Sequence, residues 1–138
     1  MQGRSIIVSS WAANAVFALT AIPFALGVDD VEGVAIATAL VLFGFSLVVW
    51  VWAFGVAFAR SARGEDLAVA SLFLTVGGAP VDVRWQLFGA FGACLLVTVA
   101  TAAADPFGVL VPMLPFGLVG LWAARHGVFP ARPAPKPR

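Results

Sequence analysis

Residues 34–59 read VAIATALVLFGFSLVVWVWAFGVAFA, and Arg60 and Arg63 follow at once. The run holds no ionisable side chain and exceeds the roughly 20 residues needed to cross a hydrocarbon core about 30 Å thick. The chain as a whole is 62% hydrophobic and 11% charged over 138 residues, whereas soluble domains carry about 25% charged residues. A water-soluble fold of this size cannot hide that much apolar surface. Lipid is therefore the solvent for this stretch. In lipid the backbone must satisfy its own hydrogen bonds, which makes the stretch a helix.

Three further apolar stretches lie around it. One runs from about 6 to 28, ahead of the acidic turn Asp29-Asp30-Val31-Glu32-Gly33. So short a turn makes the first two helices antiparallel neighbours. The others run from about 83 to 104 and from 107 to 124, joined by Asp105-Pro106. Threaded four times through a bilayer, the chain leaves Arg4, Arg60, Arg63, Arg84, Arg125, Arg132, Lys136 and Arg138 on one side. Glu65, Asp66 and Asp82 share that side; Asp29, Asp30, Glu32 and Asp105 fall on the other, with no Lys or Arg. The positive-inside rule then predicts a cytoplasmic (inner) membrane protein with both termini in the cytoplasm. The fold expected is an all-α bundle of four transmembrane helices forming one domain over 1–129. The first span also has features of a cleaved signal peptide, with a small-x-small site at Ala25-Leu26-Gly27, but Ser9, Ser10, Trp11 and Asn14 interrupt its apolar run.

Residues 60–85 make the long connection. Within it, 67–79 is apolar but too short to span, which suits an interfacial or re-entrant segment; its period fits helix and strand alike. Gly77-Gly78 ends it, and Pro80 suits the start of the next helix, with Asp82 in its first turn. The tail 130–138 alternates proline with Arg132, Lys136 and Arg138, so it reads as an extended, disordered, basic segment drawn to anionic lipid. Pro23 predicts a kink or a loose last turn in the first span, and Pro112 and Pro115 predict kinks or partial unwinding in the outer half of the fourth. Small residues four apart (Gly89/Ala93, Thr98/Ala102), with Gly117, Gly120 and Ala124, provide edges for close helix packing. Trp50 and Trp52, two apart, point to different helix faces.

Residues able to carry chemistry are few. The membrane cores hold no Asp, Glu, Lys, Arg or His, which argues against proton-coupled transport and voltage sensing. Asn14 is the one strongly polar core residue; an interhelical hydrogen bond accounts for it more simply than a ligand contact. Arg84, Arg125 and His126, with Asp82, Glu65 and Asp66 nearby in the sequence plan, make a headgroup or anion site at the cytoplasmic mouth, or an ordinary basic collar that snorkels toward phosphates. Cys94 lies mid-membrane, far from His126, so no nucleophile–base pair forms. One His and one Cys exclude a zinc cluster. No catalytic residue, metal site or cofactor is expected, and nothing points to nucleic acid.

Two segments, LFLTVGGAPVDVR (72–84) and GLWAARHGVFP (120–130), resemble a family of small, functionally uncharacterised four-helix integral membrane proteins of GC-rich actinobacterial genomes. That resemblance implies a cytoplasmic-membrane protein whose signature lies in the inner connection and the end of the fourth helix. It carries no activity with it. The reading of the residues is a scaffold or accessory subunit that packs against itself or another membrane protein in the lipid. The alternatives are a passive channel or small-solute transporter near Asn14, and a lipid-headgroup binding or modifying protein using Arg84, Arg125 and His126.

Overall fold

The computed structural model describes residues 3–133, in which five α-helices follow one another: α1 (Arg4–Ala25), α2 (Glu32–Ala62), α3 (Val69–Phe73), α4 (Val81–Thr101) and α5 (Met113–His126). Single 3₁₀ turns lie at Asp29–Val31, Val76–Gly78 and Pro106–Leu110. Four segments are long and apolar enough to cross a membrane: Arg4–Ala25, Asp29–Ala62, Val81–Thr101 and Pro106–His126. The chain enters α1 and leaves α5 at one end of the bundle, here the basic end. The two hairpins at Asp29–Val31 and Pro106–Leu110 form the acidic end.

The helices form a rhombus. α1 packs on α2, α4 and α5, and α5 packs on α1, α2, α3 and α4, so α1 and α5 share the short diagonal. Of the most apolar window in the fourth span 72% is buried, against 22% for that containing α2. The last span is thus the core of the bundle, and α2 is its most outward-facing member.

The sequence of α5 explains its position. Gly117 leaves a notch where the Trp50 indole lies; a Cβ there would stand 2.9 Å from Trp50 Nε1. The indole N–H so placed donates to the Met113 carbonyl at 3.0 Å. Gly120 makes a second notch, filled by the Phe73 ring, which a Cβ would meet at 2.5 Å. Phe73 stacks on Trp50 with centroids 5.0 Å apart and meets Phe116 at 4.7 Å. Aromatic pairs of this kind contribute about 0.5–1.5 kcal/mol each beyond their burial. The small residues of α5 therefore receive rings from α2 and α3, not the backbone of a neighbouring helix. Between α1 and α4, Asn14 Nδ2 donates to the Ala90 carbonyl at 2.6 Å and Trp11 Nε1 to Gln86 Oε1 at 2.9 Å. Phe17 is fully buried against Gly108.

Of the two outcomes that Pro112 and Pro115 predict for the outer half of the fourth span, a kink or partial unwinding, the structure shows the unwinding. The span divides into the 3₁₀ turn Pro106–Leu110 and α5, which starts at Met113. Pro112 is the N-cap of α5 and Pro115 lies in its first turn. A helix has no internal acceptor for its first N–H groups, so prolines there are harmless and mark a beginning. Pro23 does lie inside α1, in its final turn. It removes the bond that the Leu19 carbonyl would accept, and the helix ends two residues later.

Residues 67–79 form the short helix α3 and the 3₁₀ turn Val76–Gly78; no strand occurs among the described residues. Phe73 reaches Gly120, six residues inside the end of α5, which is about 9 Å along its axis.

Candidate functional site at the basic end

Arg60, in the last turn of α2, organises this end. Its Nε donates to Glu65 Oε2 at 2.8 Å and its Nη2 to Oε1 at 2.6 Å, a two-pronged ion pair. Its Nη1 donates to the carbonyls of Ala124 and Gly127 at 3.0 and 2.8 Å. The guanidinium also stands 4.8 Å from the centre of the Phe129 ring. The last carbonyls of a helix lack internal donors and carry its negative dipole end. Arg60 thus supplies from another helix the cationic cap that α5 needs. Its hydrogen bonds hold the Glu65 carboxyl below the usual carboxylate range.

The segment after α5 is laced to the connection between α2 and α4. Val128 N–H donates to the Gly77 carbonyl at 2.8 Å, Asp66 N–H to Pro130 at 2.8 Å, and Arg132 N–H to Gly64 at 2.7 Å. Arg132 Nη2 reaches Ser61 Oγ at 2.8 Å. This corrects the reading of 130–138 as a free tail: residues 130–132 are tied by backbone bonds that prolines can accept though not donate. Residues 134–138 lie outside the described residues. Gly127 follows α5 without the left-handed conformation common at helix ends; its φ is −67°. It is small because its Cα faces Gly77 Cα, leaving no room for a Cβ on either residue. The segments 72–84 and 120–130 are therefore in direct contact, through Gly77 with Gly127 and Phe73 with Gly120.

The three cationic or titratable residues singled out in the sequence are not brought together. Arg84 lines a shallow hollow with Val81, Trp85 and Phe88 on α4. Arg125 lies over the Trp52 ring of α2 at 5.2 Å. His126 sits against Trp122, with ring centroids 5.6 Å apart. Glu65, expected near them, is bound to Arg60. No contact joins Arg84 to Arg125 or His126 among the described residues. No group of three His, Cys, Asp or Glu side chains able to hold a metal occurs among them either.

Comparison of the chain with protein-family models, curated proteins and solved structures returned no match.

Two features escaped the sequence reading. In the sequence Arg60 reads only as the end of the second span; the signal for more is Gly64-Glu65, a turn with an acid just past a helix that ends in Arg. Asp105, in the tight turn between the third and fourth spans, is only 1% exposed, and neither carboxylate oxygen has a hydrogen-bond partner among the described residues. It is folded under by the 3₁₀ turn that Pro106 starts, with Oδ2 near Gly108. Ser10 Oγ and Asn14 Oδ1 are likewise buried without partners.

Proposed function

We propose that the chain is a scaffold or accessory subunit of the cytoplasmic membrane, inserted with both termini in the cytoplasm, that binds a partner helix along the outward face of α2. The eight cations assigned to the basic end support the orientation. The observation that carries the binding surface is a strip of open glycines. Gly33, Gly44 and Gly55 follow one another at eleven-residue intervals, three helical turns, and so share one face. A Cβ added at any of them would meet nothing within 4 Å. Ala37 and Ala59 extend the strip, and both are exposed. The glycines of α5 accept rings from within the chain, whereas those of α2 are unoccupied. Close approach of helix backbones over small residues is a main source of association in lipid, where the hydrophobic effect between helices is absent. The family resemblance of 72–84 and 120–130 is part of the same proposal and adds the membrane setting, not an activity.

Cross-linking in native membranes tests this reading. The wild-type chain is expected to give a discrete cross-linked species, and Gly44→Leu with Gly55→Leu to abolish it while leaving the monomer folded. Monomer at every expression level, or a cross-link indifferent to both leucines, overturns it.

A further inference from the structure

A second surface, on a different face of α2, has the dimensions and charge of a lipid site. Between α1, α2 and α5 lies an apolar hollow of about 360 Å³. Ser5 and Ser9 of α1, Phe45 and Trp52 of α2, and Leu114 and Arg125 of α5 mark its walls. From Leu114 to Arg125 it runs about 16 Å along α5, at 1.5 Å per residue. Half of a bilayer's hydrocarbon core is about 15 Å. The hollow therefore starts at the basic end and stops near the midplane, the depth of one leaflet.

Its polar groups are all at one end. Arg125 closes the basic end, and its guanidinium is steadied by the Trp52 ring. No carboxylate neutralises it: the ion pair among the described residues is Arg60–Glu65. A stacked guanidinium keeps its edge N–H groups free, in the fork geometry that matches phosphate oxygens. Ser5, also at this end, is exposed and has a hydroxyl to offer. Toward Leu114 the walls are aliphatic and aromatic. A hollow apolar along a leaflet's depth and cationic at its mouth complements one kind of molecule, an anionic phospholipid with its acyl chain in the groove.

We infer that this groove is a binding site for an anionic phospholipid of the leaflet at the basic end, with its phosphate on Arg125 and an acyl chain running toward Leu114. None of the open glycines on α2 lines this groove, so either proposal can fail without the other.

Full-length protein in phosphatidylcholine vesicles doped with phosphatidylglycerol, extracted and examined by native mass spectrometry, provides the test. One phosphatidylglycerol per chain is expected to be retained. Arg125→Ala should lower its retention about fivefold, the equivalent of about 1 kcal/mol for one charge near the headgroups. Ser9→Phe should lower it comparably by filling the groove while leaving Arg125 in place; Ser9 is exposed, so the ring disturbs no core packing. Arg84→Ala should leave retention unchanged. Circular dichroism of each variant establishes that the helices persist. Retention that ignores Arg125→Ala and Ser9→Phe, that falls equally with Arg84→Ala, or that does not distinguish phosphatidylglycerol from phosphatidylcholine overturns the site. So does a groove covered by a second copy of the chain, seen as a cross-link that Ser9→Phe abolishes.

Discussion

Replacing Arg60 by Ala should do more damage than any other single change at the basic end. The side chain is only 14% exposed, so its bonds are made largely out of water. Two of them end on the Ala124 and Gly127 carbonyls, which keep no alternative donor among the described residues. Hydrogen bonds from a charged group contribute about 1.5–3 kcal/mol each. The lower figure applies at a partly open end, which gives a loss of about 3 kcal/mol for the pair. Loss of the guanidinium over Phe129 adds about 0.5–1 kcal/mol. Arg60→Lys should fall between, because an ammonium on a flexible stem cannot meet Glu65 and both carbonyls at once. Glu65→Gln should cost clearly less than Arg60→Ala, because the carbonyl bonds survive it. The assay is reversible unfolding in mixed micelles by titration with sodium dodecyl sulfate, followed by tryptophan fluorescence. Trp50 is a natural reporter, since it sits in the contact between α2 and α5. A cost for Arg60→Ala within about 0.5 kcal/mol of zero, the range of ordinary surface changes, refutes the reasoning. So does a cost for Glu65→Gln equal to that of Arg60→Ala, since the ion pair and not the helix cap would then be the main contribution.

Four other outcomes follow from the packing. Because the Arg60 hydrogen bonds depress the Glu65 titration, its contribution is fully present above the unfolded carboxyl value of about 4.3 and is lost as pH falls through the lower folded value; the protection factors of the Asp66 and Arg132 amides, taken against the intrinsic exchange rate at each pH, should hold steady from neutral pH down to about 5 and fall only in stronger acid. Gly120→Ala should cost about 1–3 kcal/mol by driving the buried Phe73 ring out of its notch, and a variant as stable as wild type in the same unfolding assay would remove the notch argument. Asn14→Leu should cost under about 1 kcal/mol, because it removes one bond to Ala90 and one buried, unpartnered oxygen together; a cost of several kcal/mol would mean that Oδ1 has a partner. Asp105→Ala should raise stability by about 1 kcal/mol, by deleting two buried acceptors that have no donor, and a loss instead would reveal a bound donor at the acidic end.

Most of the architecture was legible because lipid imposes a blunt rule: long apolar runs become helices, and their number follows from counting. The four spans were visible for that reason. What composition could not give is which helix is central. Hydropathy ranks the α2 run highest, yet α2 is the least buried span and α5 the most. In lipid, apolarity does not drive a helix inward; fit does, and the fit depends on Gly117 and Gly120 facing Trp50 and Phe73, residues far apart in the chain. The glycines were read as edges for a neighbouring backbone because sequence shows spacing and not what fills the gap. Prolines 112 and 115 leave kinking and unwinding both open for a related reason: the same residue bends a helix from within and opens one at its start, and only the break at Val111 decides. At the site, Arg125 was found but its partner Trp52 was not, and Arg60 was passed over because a stop residue and a cap residue look alike in one dimension. The burial of Asp105 is not legible, because a two-residue turn gives no hint of folding back.

The most enclosed helix is also the one that follows the other four in the chain. During synthesis α1, α2 and α4 reach the bilayer before the segment that mates them exists. Until Gly117 and Gly120 emerge, the rings of Trp50 and Phe73 have no seat, and the earlier helices can only associate loosely. Assembly should therefore be late and nearly all-or-none, and the interval before it is when an insertion chaperone, or a premature partner, would find those rings exposed.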